Sequence, residues 1–298
     1  MSNASSSPPT FPPRPQVGPA RLAQCSAEPG QARVPAGEGK GEGGAREAPR
    51  RDGSVLIRSI VFNILFYLNL AVQVIAALPT LVMPRRAILA VAKFWARTNL
   101  WLLRVICGIS VELRGVGKIP RGAVIIACKH QSLWETFALV PLLDDPCYIM
   151  KRELMWIPLF GWYTWKAGMI AVDRSKGSQA LAEMNDAARR ELARNRQIII
   201  FPEGTRRAPG AEPRYKYGVV HLYLETGASC VPVALNSGLF WPRRSLLRYP
   251  GTIRVEVLDP IPQGLSKVAF FELLQREIET ATANLLSEGE CELTNSAG

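Results

Sequence analysis

The chain has 298 residues, 48% of them hydrophobic and 20% charged, which excludes disorder throughout and leaves room for one or two packed domains. A net charge of +11 calls for an anionic partner: nucleic acid, an anionic membrane surface or a phosphorylated substrate. With only two histidines and no CxxC pair among six cysteines, a zinc site is not expected and no metal is assigned.

Residues 1–52 are rich in Pro, Gly, Ala and Ser and almost lack large apolar side chains. Such a segment cannot bury enough surface to offset its chain entropy, and it reads as a disordered tail. Residues 53–109 read as a membrane-anchoring helical pair. The stretch 59–84 carries no charge, lies between Arg58 and Arg85–Arg86, and exceeds the roughly 20 apolar residues that span a bilayer. Asn63, Asn69, Gln73 and Pro79 interrupt it. The stretch 86–109 interleaves Leu, Ile and Trp with Lys93, Arg97 and Arg104, a texture suited to a helix lying in the membrane interface. Both spanning and flat arrangements fit.

From residue 110 the texture alternates. Short apolar runs at 109–113, 123–128, 148–150, 169–172, 197–201, 231–235 and 253–258 predict strands, and 179–195 and 266–286 predict amphipathic helices. The expected fold class is α/β: a mixed, largely parallel sheet flanked by helices over 110–298, preceded by the membrane-anchoring helical pair.

Four blocks carry candidate chemistry. The first is Lys129-His130-Gln131-Ser132-Leu133-Trp134-Glu135, which places His130 at the C-terminal end of a strand, where α/β sheets build their sites. On a regular helix His130 and Glu135 would diverge, so they meet only if a turn lies between them. A histidine oriented by a carboxylate is a general base. Ser132 and Glu135 also fit a helix capping box, which needs no catalysis. In the second block, Gly168 to Arg174, a short strand ends in Asp173-Arg174, either a phosphate-binding guanidinium or a solvated ion pair. The third, Phe201-Pro202-Glu203-Gly204-Thr205-Arg206, is a turn after an apolar strand that offers donors to an anion. The fourth, Val231-Pro232-Val233, reads as core strand. Lys216 is a weaker cationic candidate, and His221 reads as structural or exposed.

In this order the blocks resemble those of the glycerolipid acyltransferase family, in particular the bacterial 1-acylglycerol-3-phosphate acyltransferases. Lys151-Arg152-Glu153-Leu154 also resembles a segment of that family. The resemblance departs at Glu135, where the family usually has Asp, and at Arg207, where Ser is common. It implies a transfer of a fatty acyl group from acyl-carrier protein or coenzyme A to a lysophospholipid hydroxyl, with the thioester as co-substrate and no cofactor. It further implies His130 as base and Glu135 as its orienting partner, with Arg174, Lys151 and Arg206 on the acceptor phosphate. Glu203, Gly204 and Thr205 would shape the acceptor pocket. Membrane lipids are the expected partners, at the cytoplasmic face of a bacterial inner membrane. A different lysolipid acceptor, such as a lyso-ornithine lipid, is the alternative. A non-enzymatic membrane-surface protein fits the His130 block poorly, and nucleic-acid binding fits the dispersed cations poorly.

Overall fold

The computed structural model describes residues 53–295; the tail expected over 1–52 lies outside the described residues. In chain order the elements are α1 (Gly53–Ala76), α2 (Arg85–Cys107), β1 (Ile109–Arg114), β2 (Val124–Cys128), α3 (Trp134–Ala138), β3 (Pro146–Lys151), α4 (Phe160–Lys166) and β4 (Ile170–Val172). There follow α5 (Ser178–Ala193), β5 (Gln197–Ile200), α6 (Gly218–Thr226), β6 (Cys230–Leu235), α7 (Ser237–Phe240), β7 (Gly251–Val257) and α8 (Lys267–Asn295).

The strands form one seven-stranded sheet in the order β1-β7-β6-β2-β5-β3-β4. β6, β2, β5, β3 and β4 run parallel, and among the strand pairs of the described residues only β6–β7 is antiparallel. The central strands are buried along their whole length, which is why Val124–Cys128, Gln197–Ile200 and Cys230–Leu235 read as nearly unbroken apolar runs rather than as alternation. Val124, Ile126 and Cys128 face a core shared with α1, α2 and α3, whereas Ile125 and Ala127 face one shared with α5, α6 and α8.

The N-terminal helices are therefore part of the domain's core. Phe62 and Phe66 of α1 pack with Trp95, Phe137 and Trp241 in an aromatic cluster. Arg248 fastens the same helix: its backbone N–H donates to Ser59 Oγ at 2.8 Å, its guanidinium donates to Asn63 Oδ1 at 3.0 Å, and it stacks over Trp241 at 4.0 Å. Asn63, which breaks the apolar run, thus has a docking partner. The outer face of α1 is a different surface, with Ile57, Ile64, Leu68 and Ile75 exposed. At 24 residues α1 is long and apolar enough to cross a membrane.

A second clamp ties α2 to the sheet. Arg196, buried completely, donates to Asp145, Glu191 and the carbonyls of Pro146, Ala167 and Gly168. Arg85, at the start of α2, grips the other side of Asp145. Burial alone would push the Asp145 carboxyl up; the two guanidinium groups outweigh it and hold that carboxyl below its ordinary value.

Candidate active site

Because β2 to β6 are parallel, whatever follows each strand emerges at one sheet edge. His130 follows β2, Lys151 ends β3, Arg174 follows β4, the 201–206 turn follows β5, and Ser237 opens α7 after β6.

The His130 turn is organised around one carboxylate. Glu135 Oε1 accepts the backbone N–H groups of Gln131 and Ser132 at 2.7 Å each and lies 2.9 Å from His130 Nδ1. Its Oε2 accepts the Ser237 hydroxyl at 2.8 Å. α3 begins only at Trp134, so the chain turns between the two residues, and the divergence of a regular helix does not arise. Capping and orientation, alternatives in the sequence, are performed by the same oxygen. An ionised carboxylate only accepts hydrogen bonds, so it places the proton on Nδ1 and leaves Nε2 as the basic nitrogen. The Glu135 side chain is 0% exposed and that of His130 13%. The imidazole stacks on Phe201 with centroids 4.1 Å apart, and its backbone is held from both sides, by Glu203 Oε2 on its N–H and the Arg207 N–H on its carbonyl.

Lys129 turns inward. Its Nζ lies 3.0 Å from Glu203 Oε1 and 2.6 Å from Glu279 Oε1 on α8, and the Tyr215 hydroxyl donates to the same Glu279 oxygen at 2.8 Å. Glu203, expected in the acceptor pocket, is buried and turns its carboxylate toward Lys129, because a buried lysine needs counter-charge. Burial raises the Glu203 carboxyl, and the Lys129 ammonium offsets this only in part.

The cations lie on the outer side of the 201–206 turn. Gly204 has φ +65°, and a Cβ there would sit 3.4 Å from Arg174 Nη1 and 3.6 Å from Lys216 Cγ. Its carbonyl accepts Arg174 Nη1 at 2.8 Å. Asp173 pairs with Arg152 at 3.0 Å rather than with its neighbour Arg174, whose guanidinium stays exposed. Thr205 is exposed, Arg206 is half-buried and its carbonyl is held by Arg243, and Lys151 is exposed at the end of β3. His221 lies half-buried within α6.

The sequence reading gave Lys129 no role of its own and missed Tyr215, Ser237 and Glu279. The lysine had a signal, a charge directly after a wholly apolar strand. Glu279 had none, since it lies 150 residues from Lys129.

A parallel α/β sheet with a carboxylate-oriented histidine and a cluster of cations at one edge defines an enzyme of acyl-transfer or hydrolytic type, and comparison with known proteins narrows it. Residues 110–236 match the family model described as Acyltransferase. The chain is 38% identical over 188 residues to a 1-acyl-sn-glycerol-3-phosphate acyltransferase of Pseudomonas aeruginosa, covering 62% of this chain and 73% of that one. It is 31% identical to the human 1-acyl-sn-glycerol-3-phosphate acyltransferase alpha, over 57% of this chain and 62% of that one. The crystal structure of the 1-acyl-sn-glycerophosphate (LPA) acyltransferase PlsC from Thermotoga maritima superimposes with a TM-score of 0.61 at 21% identity, covering 75% of this chain and 97% of that one, a likeness of fold. The chain belongs to the 1-acyl-sn-glycerol-3-phosphate acyltransferase family.

Proposed function

We propose that the chain transfers a fatty acyl group from acyl-carrier protein or coenzyme A to the free hydroxyl of 1-acyl-sn-glycerol 3-phosphate, giving phosphatidic acid for phospholipid synthesis. The observation that carries this reading is the His130–Glu135 pair, 2.9 Å apart, on the sheet edge that also presents Arg174. His130 Nε2 takes the proton of the acceptor hydroxyl as the oxygen attacks the thioester carbonyl. A new C–O bond forms, the C–S bond breaks, and the imidazolium returns its proton to the departing thiolate. Glu135 stabilises the imidazolium in between.

Transfer is direct. The thiol nearest in sequence, Cys128, is wholly buried, and burial pushes it well above the ordinary thiol value; Ser132 is buried too, its hydroxyl accepting the Trp134 N–H. Arg174, Lys151 and Arg206 receive the acceptor phosphate, and Gly204 and Thr205 shape the loop beneath it. The thioester is already activated, so the scheme uses no metal or other cofactor. The exposed apolar face of α1 supports association with membrane lipids; the location proposed with this reaction is the cytoplasmic face of a bacterial inner membrane. An acceptor that stays in the bilayer keeps its chain buried, which is favourable by about 0.8 kcal/mol per CH₂.

The test is labelled acyl transfer by the purified chain in lipid vesicles across a panel of lysolipids. Preferential formation of phosphatidic acid is expected. Transfer only to a lyso-aminolipid would move the acceptor to that class.

A further inference from the structure

The segment between β3 and β4 carries a surface that the acyl transfer leaves unused. A 3-10 turn, Arg152–Trp156, leads through Ile157 and Pro158 into α4. Trp156, Trp162 and Trp165 are 77%, 59% and 74% exposed, and Leu154, Ile157 and Phe160 are exposed with them. Trp162 and Trp165, three residues apart on α4, share a face. The segment is held in this shape. Leu159 takes φ +62°, and Gly161 is so close to the turn that a Cβ would lie 1.9 Å from the Met155 carbonyl oxygen. A contiguous exposed apolar patch marks an interaction surface.

Three features identify what covers it. The first is continuity with α1: the buried side of α4 carries Tyr163, which packs with Ala77, Ile88 and Leu89 and donates to the Val74 carbonyl at 2.5 Å. The second is charge, since Lys151, Arg152 and Lys166 flank the patch and outnumber the one acidic residue of the segment, exposed Glu153. The third is side-chain type: tryptophan sits at the headgroup level of bilayers. Trp156 also lines a cleft of about 360 Å³ with Arg152, Asp173 and Lys176.

We propose that residues 154–165 form a second lipid-contacting patch, which enters the headgroup layer of an anionic bilayer and seats the cationic side of the site at its surface. The inference rests on the reading of the chain as an enzyme acting on bilayer lipids, and the quenching arm of its test is read without turnover.

The full chain is reconstituted into phosphatidylcholine–phosphatidylglycerol vesicles whose acyl chains are brominated near the headgroup, and tryptophan quenching is recorded. Wild type is compared with Trp101→Phe, which removes an exposed tryptophan of α2, and with Trp156→Ser/Trp162→Ser/Trp165→Ser. The inference predicts strong quenching of the wild type, retained in Trp101→Phe and largely lost in the triple variant. It also predicts that the triple variant keeps wild-type turnover of detergent-dispersed acceptor, which shows that it is folded, and loses turnover of vesicle-borne acceptor. A single Trp162→Ser variant should lose part of the quenching and serves if the triple variant does not fold. Unquenched wild type, or a triple variant quenched as fully as wild type, would overturn the proposal. So would a dimer in detergent that the triple variant dissolves with no change in quenching, since the patch would then join two copies of the chain. Quenching as predicted with no acyl transfer would leave the patch standing and remove the proposed reaction.

Discussion

Glu135 bonds at once to a ring nitrogen, two backbone amides and a hydroxyl, so different substitutions test different roles. In Glu135→Gln the two amides hold the carboxamide oxygen at the Oε1 position, and the new NH₂ faces Ser237. The His130 tautomer and the fold are therefore kept, and only the negative charge opposite the imidazolium is lost. Turnover should fall by about a hundredfold, with little change in Tm. Full turnover would mean that Glu135 only caps α3. On the acceptor side, Arg174→Ala should raise the acceptor KM by at least about tenfold with kcat little changed, as expected when a hydrogen bond to a charged group is lost from uniform binding. An unchanged KM would place the phosphate elsewhere. The core of this constellation was readable from residue order: a His at a strand end, a carboxylate after a turn, and a Pro-Glu-Gly turn. The inward set of Glu203 was not, because it depends on Glu279 and Tyr215, which no local pattern links to Lys129.

At the scale of elements, the Arg196 clamp joins α2, α5 and the edge of the sheet. Arg196→Met removes the donor to two carboxylates and to the carbonyls of Pro146, Ala167 and Gly168. Breaking a buried pair from one side costs about 3–5 kcal/mol, which in a domain of this size lowers Tm by on the order of 10 °C. Thermal melting of the variant checks this; a Tm unchanged from wild type would contradict it. The same clamp sets an acid limit. Asp145, and Glu288 beside Arg114, have folded-state carboxyls held below their ordinary values. Their stabilisation is present above the unfolded-state value of about 4 and is lost as pH falls through the lower folded values. Melting followed against pH should be level down to about pH 5 and fall below about pH 4, less steeply in Asp145→Asn. Strand positions were legible throughout, because buried strands need apolar runs and β7 keeps its period of two at Ile253, Val255 and Val257. The short helices α4 and α7 were not, since neither is long enough to show a helical period. The antiparallel entry of β7 was equally hidden, being a property of pairing rather than of composition.

At the scale of the whole molecule, the chain packs the buried side of α1 on the sheet domain and leaves its outer side apolar. In the proposed reading, the positive charge and the exposed tryptophans have a common rationale: an anionic lipid surface that also supplies the acceptor. In the proposed reaction His130 performs the proton transfer of an acyl transfer to 1-acyl-sn-glycerol 3-phosphate. Its most direct test is labelled phosphatidic acid formation by the purified chain in vesicles, comparing wild type with His130→Ala at equal vesicle-bound protein. Product is expected from wild type, at least about a hundredfold less from His130→Ala, and equal membrane association of the two. Turnover by His130→Ala within a few-fold of wild type would contradict it.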